Sequence, residues 1–288
     1  MHNESLPVSC LGSVYIGSKL SEVTLAVNSL IAGRQPDQII IVVDGRITSD
    51  LSDFLREYTT KNIIECVYLS KNKGLGLALR EGLYCCKNEI VIRFDTDDLN
   101  TPNRLEVIYK ALIDHPQVDI IGSYVNEFKP INANQALMCL KKVPLTHVAI
   151  TKSLMLRNSM NHPSIGFRRS AILSIGSYQD MPFFEDYYLW LRARKFGLHF
   201  LNLNEPLVYM RRTDAVKRRS GWQYFINEID FLWICIREKL IHPMYAFLFV
   251  PRLLTRMLPS RLQILQDYLP WRSRHLMHKN PDKYIMHK

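Results

Sequence analysis

The first 130 residues alternate between short apolar runs and segments whose apolar positions recur every three or four residues. Residues 39–43 are apolar at consecutive positions, which predicts a parallel strand buried on both faces. Alternation of this kind is typical of an α/β fold with a mostly parallel, doubly wound sheet and helices on both faces. The predicted strands are 8–16, 38–43, 63–69, 89–94 and 118–125, and the predicted helices are 21–31, 74–87 and a segment that begins at Pro102 with Thr101 as its N-cap.

The pattern is weaker between residues 129 and 157 and becomes regular again afterwards. A regular pattern returns at residues 164–174. The sequence then predicts an amphipathic helix at 185–196, closed by Gly197, and an extended segment at 199–210. After Ser220 the chain turns helical, and aromatic residues are dense there. We therefore expect helices to dominate the C-terminal part.

Charge is distributed unevenly along the 288 residues. The net charge is +10, but residues 1–205 hold 22 Lys and Arg against 21 Asp and Glu, whereas residues 206–288 hold 15 against 6. A basic segment favours an anionic partner such as a phosphorylated substrate, an anionic membrane or nucleic acid. The hydrophobic content of 47% excludes a disordered chain.

Features that the sequence lacks limit the cellular locations we expect for the protein. No apolar run approaches the ~20 residues that a membrane-spanning helix needs, and the first residues lack the features of a secretory signal peptide. The six cysteines do not show the paired spacing of zinc or redox sites. We expect a protein that is cytosolic or bound to a membrane surface.

Three carboxylates follow one predicted strand, at Asp95, Asp97 and Asp98. Ligands of an open parallel sheet bind beyond the carboxyl ends of its strands, where these residues lie. Closely spaced carboxylates repel one another unless a cation is shared between them, and Mg²⁺ or Mn²⁺ prefers such oxygen ligands. The alternative is a solvated acidic turn in which Asp98 helps to start the next helix.

Other segments carry weaker signals for nucleotide binding. Asp44 ends a neighbouring strand, although Asp-Gly is also an ordinary turn. Residues 73–76 follow a strand and open a helix, but Leu79 stands where a dinucleotide-binding motif has its third glycine. We therefore do not predict a dinucleotide site.

Glu185 and Asp186 open the amphipathic helix beside apolar aromatic residues. Acidic residues in a first turn complement the helix dipole, which is the structural alternative. The functional interpretation is a general base at the edge of a pocket.

Basic patches and a histidine complete the set of candidates. Arginines at four positions can clamp phosphates, face a membrane or simply be solvated, and His162 can contact substrate or serve as a local hydrogen-bonding residue. The four arginines are Arg211, Arg212, Arg218 and Arg219.

In their order along the chain, these segments resemble the inverting family 2 glycosyltransferases of GT-A fold. The similarity covers about residues 8–221, and the segment 218–221 further resembles the bacterial branch that builds O-antigen or exopolysaccharide units, including amylovoran-type and β-1,3-galactosyl or glucosyl transferases. The segments that carry it are Ser13–Gly17, Ile39–Gly45, Asn72–Gly82, Arg93–Asp98, Asn161–Ser164 and Glu185–Leu191.

The resemblance implies a role for each matching residue. Asp44 would hold the uridine of a UDP-sugar, with Arg93 and Asp95 near the ribose or phosphates. Asp95 and Asp97 of the Asp-x-Asp motif, together with Asp98, would bind Mn²⁺ or Mg²⁺. Asp186 would deprotonate the acceptor hydroxyl, and Glu185 would orient the acceptor. Further contacts would come, for the nucleotide sugar, from Tyr15, Asn72, Gly74 and Thr96 and, for the acceptor or its diphosphate, from His162, Arg211, Arg212, Arg218 and Arg219.

The implied function is transfer of a hexose, galactose or glucose, from a UDP-sugar to a polyprenyl-diphosphate-linked sugar during bacterial surface polysaccharide synthesis. The expected location is the cytoplasmic face of the inner membrane, peripherally bound to anionic lipid and without a nucleic-acid partner. The expected parts are 1–130 for the nucleotide sugar, 131–221 for acceptor and catalysis, and 222–288 as basic amphipathic helices.

Two other functions stay open at this point. A sugar-phosphate nucleotidyltransferase also uses a doubly wound sheet and a metal, but residues 12–17 lack the Arg-containing phosphate loop of those enzymes. A nucleic-acid-binding protein would rely on the basic C-terminal segment, whose charges alternate with long apolar stretches.

Overall fold

A computed structural model describes residues 5–132, 135–212, 222–249, 274–277 and 281–282. Its strands are β1 (Leu6–Val14), β2 (Pro36–Asp44), β3 (Glu65–Leu69), β4 (Ile90–Arg93), β5 (Leu99–Asn100), β6 (Ile120–Pro130), β7 (Ala136–Lys141), β8 (Gly166–Arg168), β9 (Phe200–Arg211) and β10 (Arg274–Met277). Its helices are α1 (Leu20–Ile31), α2 (Ser49–Thr60), α3 (Leu75–Cys85), α4 (Arg104–Asp114), α5 (His147–Leu154), α6 (Arg169–Ser174), α7 (Glu185–Lys195), α8 (Trp222–Arg237) and α9 (Pro243–Ala246).

The strands form one sheet in the order β10-β7-β6-β8-β4-β1-β2-β3, and β9 pairs with both β6 and β5. Strands β3, β2, β1 and β4 are parallel, and β9 is parallel to β6. Strand β8 runs antiparallel between β4 and β6, while β7 and β10 extend the sheet in antiparallel pairs. The predicted α/β fold is confirmed, and the carboxyl ends of β2 and β4 lie at the same edge.

The apolar run in β2 explains why the sheet is covered on both faces. Ile40 and Val42 belong to a core with α3, α7 and α8, whereas Ile39, Ile41 and Val43 belong to a second core with α1, α2 and α4. Successive strand residues point to opposite faces, so a continuously apolar strand needs a cover on each side.

Several element boundaries differ from the sequence-based expectation. Helix α4 begins at Arg104 rather than Pro102, with Asn103 as its N-cap, because residues 102–103 form a turn before it. Helix α2 was not predicted, and it buries only Leu51, Phe54 and Leu55. Strand β7 and helix α5 occupy the weakly patterned segment 129–157.

The C-terminal expectation is met in part. Helix α8 follows residue 221 as predicted, but most of the basic residues beyond it lie outside the described residues. Among the described helices, none is both long and apolar enough to cross a membrane.

Candidate active site

Asp44, at the end of β2, organises the loop that precedes α3. The side chain is buried, and its two carboxylate oxygens accept hydrogen bonds from the backbone nitrogens of Lys73 (2.7 Å) and Gly74 (3.0 Å). Asn72 Nδ2 donates to the Asp44 carbonyl at 3.3 Å. Gly74 has φ +86°, a conformation that favours glycine. The structure thus brings together three residues that the sequence placed in one nucleotide site.

The three carboxylates after β4 also converge. One oxygen from each of Asp95, Asp97 and Asp98 lies within 4.8 Å of the others. Thr96 Oγ1, between them, donates to the Ser13 carbonyl at 2.9 Å and fixes the loop to the end of β1. The spacing of the motif therefore produces a compact acidic cluster.

Burial distinguishes this cluster from a solvated turn. Burial, followed by the charges of Asp95 and Glu22, raises the pKa of Asp97 to about 6, and burial also raises the pKa of Asp98. Asp98 Oδ1 accepts the backbone N–H of Arg211 at 2.7 Å, so its side chain is tied to β9 and does not cap α4. Asp98 is buried and Asp95 and Asp97 are partly buried, so the cluster is not a fully solvated turn, and Asp98 does not start α4.

The cluster fits a divalent cation. Asp98 is 4% exposed, and within the described residues its Oδ2 has no hydrogen-bond partner. A buried carboxylate oxygen without a donor is costly unless something positive approaches it. Three carboxylates also match the oxygen preference of Mg²⁺ and Mn²⁺.

Arg93 is a buried cation beside this cluster. It is 1% exposed and forms an ion pair with Asp95. Arg104 Nη2 donates to the Arg93 carbonyl at 2.5 Å, which anchors the end of β4 from the side of α4. Among the described residues, Arg93 Nε and Nη1 have no hydrogen-bond partner. Arg93 therefore keeps donor capacity for an anionic ligand.

Glu185 and Asp186 form the first turn of α7, next to α3. Burial, followed by the charge of Asp186, raises the pKa of Glu185 to about 7. Asp186 Oδ2 accepts from Asn158 Nδ2 at 2.7 Å, and Oδ1 accepts from the backbone nitrogen of Tyr187 at 2.7 Å. Acidic residues that merely complement a helix dipole would be solvated, whereas Glu185 and Asp186 are both partly buried.

His162 contacts Tyr178 and lies close enough to Arg93 to be affected by its charge. It is buried, and its Nε2 is 2.9 Å from the hydroxyl of Tyr178. Burial, followed by the charge of Arg93, holds the pKa of His162 well below its usual range, so the ring is neutral. Burial raises the pKa of the Tyr178 phenol; the charge of Arg93 lowers it, and the charges of Asp186 and Glu185 raise it. The histidine is therefore an interior member of the site.

The structure describes three of the five remaining predicted residues, Tyr15, Arg211 and Arg212. Tyr15 follows β1 and is about half exposed. The Arg211 guanidinium is bound by Asp282, and Arg212 Nε lies 3.9 Å from Glu127. Arg218 and Arg219 fall outside the described residues. The diphosphate roles of these four arginines stay predictions.

Sequence reasoning missed four residues of the site: Asn158, Tyr178, Arg104 and Asp282. Asn158, Tyr178 and Asp282 meet their partners across 16 to 71 residues of sequence, whereas Arg104 reaches the carbonyl of Arg93, 11 residues away. None stands in a local motif, so the sequence of one chain offers no signal for them.

Comparison with known proteins decides the family. The model of glycosyl transferase family 2 matches residues 19–175. The chain belongs to this family. It is similar to an Escherichia coli protein named UDP-Gal:alpha-D-GlcNAc-diphosphoundecaprenol beta-1,3-galactosyltransferase, with 32% identity over 263 residues that cover 90% of this chain and 94% of the relative. It is also similar to the amylovoran biosynthesis glycosyltransferase AmsE of Erwinia amylovora, with 33% identity over 232 residues, 78% of this chain and 84% of the relative.

A solved structure supports the fold of this glycosyltransferase. TarS 1-349 of S. aureus in complex with UDP-GlcNAc matches with a TM-score of 0.58 and 16% identity, over 77% of this chain and 64% of the TarS fragment. The chain thus spans just under two thirds of that fragment, and the likeness concerns the fold alone. The predicted GT-A-type fold and the predicted glycosyltransferase class are both confirmed.

Proposed function

We propose that this glycosyltransferase moves a hexose, galactose or glucose, from a UDP-sugar to a sugar linked to a polyprenyl diphosphate, with inversion at the anomeric carbon. One observation carries the proposal: the Asp44 loop, the Asp95–Asp98 cluster and the Glu185–Asp186 pair meet at one edge of the sheet. The names of two relatives, one acting on UDP-Gal and a lipid-diphosphate-linked GlcNAc, support the choice of donor and acceptor.

The donor would lie across the ends of β1, β2 and β4. Asp44, with Asn72 and Gly74 in its loop, would bind the uridine end, and the exposed ring of Tyr15 would border it. Arg93, whose Nε and Nη1 have no partner among the described residues, would face the ribose and phosphates together with Asp95 and Thr96. A buried guanidinium binds phosphate oxygens strongly because water does not compete.

Asp95, Asp97 and Asp98 would hold Mn²⁺ or Mg²⁺. When bound, the cation would neutralise the charge that develops on the leaving diphosphate. A cation would also offset the repulsion among the three carboxylates: burial, followed by the charge of Asp95, raises the pKa of Asp97.

Asp186 would act as the base. The acceptor hydroxyl would give its proton to Asp186 while its oxygen forms a bond with the anomeric carbon and the bond from that carbon to the UDP oxygen breaks. Attack opposite the leaving group inverts the configuration. The hydrogen bonds from Asn158 and the Tyr187 nitrogen orient the Asp186 carboxylate. Glu185 and the neutral His162 would position the acceptor.

The lipid part of the acceptor calls for a membrane-facing surface, and helix α8 offers one. One face of α8 carries four aromatic or aliphatic residues, Trp222, Phe225, Ile229 and Trp233. Both tryptophans are more than 60% exposed. Tryptophan is enriched where a protein meets the lipid interface. The net charge of +9 in residues 206–288 complements anionic lipid.

Helix α8 also contacts Phe183 and Phe184, which directly precede Glu185 and Asp186. The ring of Tyr224 lies 5.4 Å from that of Phe183 and 5.3 Å from that of Phe184, and Phe231 stacks on Phe184 at 4.7 Å. A bilayer under the outer face of α8 would therefore lie close to Glu185 and Asp186. Such an arrangement fits peripheral attachment to the cytoplasmic face of the inner membrane, with residues 1–130 serving the donor, 131–221 the acceptor and 222–288 the membrane.

Sedimentation with vesicles tests this surface. We expect the intact chain to sediment with phosphatidylglycerol-containing vesicles at low salt and Trp233→Ser to sediment several-fold less. Tyr68→Ser, which removes an exposed ring on β3, is the matched control and should behave as wild type. Equal sedimentation of the two variants would contradict a lipid-binding role for this face of α8. Absence of vesicle binding, or a dimer of the chain that buries this face, would contradict it as well.

Turnover tests the reaction itself. Purified protein with Mn²⁺, a panel of UDP-sugars and a GlcNAc-diphosphate-lipid acceptor should release UDP with one of the UDP-hexoses and form a β-linked product. Pyrophosphate release from UTP and a hexose 1-phosphate would instead indicate a nucleotidyltransferase. Failure of every UDP-sugar donor would contradict the proposed donor class.

A further inference from the structure

Arg211, at the end of β9, is hydrogen-bonded to two residues of the acidic cluster, Asp97 and Asp98. Its backbone nitrogen donates to Asp98 Oδ1 at 2.7 Å, and its Nε donates to the Asp97 carbonyl at 3.1 Å. One residue thus fixes the side chain of Asp98 and the backbone of Asp97. The position of two candidate ligands depends on where Arg211 lies.

The guanidinium of Arg211 is itself held on several sides. It lies 4.8 Å above the ring of Phe128, and its Nε is 3.8 Å from a carboxylate oxygen of Glu22. Its side chain is only 10% exposed. A buried guanidinium in such a position requires an acceptor for its remaining N–H groups.

Asp282 supplies that acceptor. Arg211 Nη1 and Nη2 donate to the two carboxylate oxygens of Asp282 at 3.1 and 2.6 Å, which is the bidentate geometry of a strong arginine–carboxylate pair. Asp282 lies 71 residues further along the chain, beyond β10, which pairs with β7 at the edge of the sheet. Arg211 thereby connects Asp282 to the acidic cluster.

We propose that Asp282 is a positioning residue for the divalent-cation site: it orients Arg211, which in turn holds Asp97 and Asp98 in ligand geometry. This inference rests on the proposed metal-dependent function and adds to it a residue outside the segment matched by the family model. Partners of metal ligands orient the ligands and commonly change metal affinity by about 10- to 100-fold when lost. Because Asp282 acts through Arg211, we expect the lower end of that range.

The experiment measures Mn²⁺ affinity directly, by titration of the full chain in the presence of UDP with the free Mn²⁺ signal in electron paramagnetic resonance. Asp282→Asn, which keeps the shape and removes the charge, should bind Mn²⁺ about tenfold more weakly. Asp282→Glu should recover most of the affinity. Asp53→Asn, which breaks the exposed ion pair with Arg56, is the matched control and should bind as wild type.

Two further readouts separate positioning from general stability. Excess Mn²⁺ should restore the kcat of Asp282→Asn, since the chemistry is intact once the cation is bound. Arg211→Lys should weaken Mn²⁺ binding similarly, and Asp282→Asn should add little to it because both changes break the same connection.

The outcomes distinguish this inference from the function on which it rests. Wild-type Mn²⁺ affinity in Asp282→Asn would overturn the positioning role alone. Tighter Mn²⁺ binding in that variant would overturn it as well, and would indicate that the carboxylate blocks the site. A wild-type chain that binds no Mn²⁺ would contradict the metal-dependent function together with this inference.

Discussion

Gly76 of α3 lies directly against Glu185 at the start of α7. A Cβ atom added at Gly76 would stand 2.9 Å from the Cβ of Glu185 and 3.0 Å from the carbonyl oxygen of Gln179. The loop that Asp44 holds leads into the same end of α3. The candidate donor loop and the acidic pair are therefore packed as one unit, with no room for a side chain between them.

Gly76→Ala tests this packing. The added methyl group must push α7 away by several tenths of an ångström, which would move Glu185 and Asp186 relative to the donor. A misplacement of about 1 Å can cost about 100-fold in rate, so for this smaller shift we expect kcat to fall by about tenfold. Steady-state kinetics with the best UDP-sugar measure the change.

Gly197→Ala is the control for stability in that experiment. Gly197 closes the far end of α7 at φ +79°, with no atom within 4 Å of an added Cβ. Alanine there costs about 1 kcal/mol of backbone strain and should leave kcat unchanged. Equal kcat losses in the two variants would show that α7 stability, rather than contact with Gly76, controls the rate.

Asp44→Asn should weaken both the fold and donor binding. The wild-type carboxylate accepts two backbone N–H groups, whereas the amide of asparagine has one acceptor oxygen and would leave one partly buried N–H unpaired. We expect a loss of about 1–3 kcal/mol in the free energy of unfolding. Denaturant titration measures it, and calorimetric titration with UDP should show weaker binding. Unchanged UDP affinity would contradict the role of this loop.

Glu185→Gln should change how stability depends on pH. The pKa of Glu185 is raised from 4.5 to about 7 by burial and by Asp186, while Arg93 partly opposes the shift. Between these values the folded state keeps a proton that the unfolded state has lost, so wild-type stability falls as pH rises from 4.5 to 7. The variant lacks this loss and should be more stable by up to about 3 kcal/mol at pH 8.

Thermal unfolding of both proteins between pH 4 and 8 checks the sign. The advantage of Glu185→Gln over wild type should be small at pH 4 and largest at pH 8. If the difference in stability between Glu185→Gln and wild type is the same at every pH in this range, the pKa of Glu185 is not raised in the folded state.

Asp97→Ala should abolish the effect of Mn²⁺ on UDP binding. The variant removes one of three clustered carboxylates and should bind UDP equally with and without Mn²⁺, whereas wild-type affinity should rise when Mn²⁺ is added. Fluorescence or calorimetric titration measures the two affinities. Metal stimulation that survives in Asp97→Ala would exclude this residue as a ligand.

The sequence predicted the parts of the fold that rest on local patterns. Consecutive apolar residues identified β2, and the three carboxylates after β4 identified the acidic cluster because their spacing is local. Helix α2 escaped prediction because it buries a single short stripe, and its other residues are polar. Thr101 resembles an N-cap, yet its hydroxyl donates to the Leu207 carbonyl of β9, so tertiary contact overrides the local signal.

Long-range contacts account for what the sequence did not predict in the site. The sequence did not predict that the Arg211 guanidinium contacts Asp282 and that its backbone nitrogen contacts Asp98. Asn158 orients Asp186 across 28 residues of sequence. Such partners are specified by the way strands and helices assemble, and no spacing rule reveals them.

The assignment of Asp186 as the base is the central claim, and turnover of Asp186→Asn tests it most directly. With UDP-galactose or UDP-glucose, Mn²⁺ and GlcNAc-diphosphate-lipid, the account predicts that kcat falls by at least about 100-fold, the lower end of what loss of a general base costs. Binding of UDP and Mn²⁺ should persist, and Asp114→Asn, at the exposed end of α4, should match wild type. Full activity in Asp186→Asn would contradict the account.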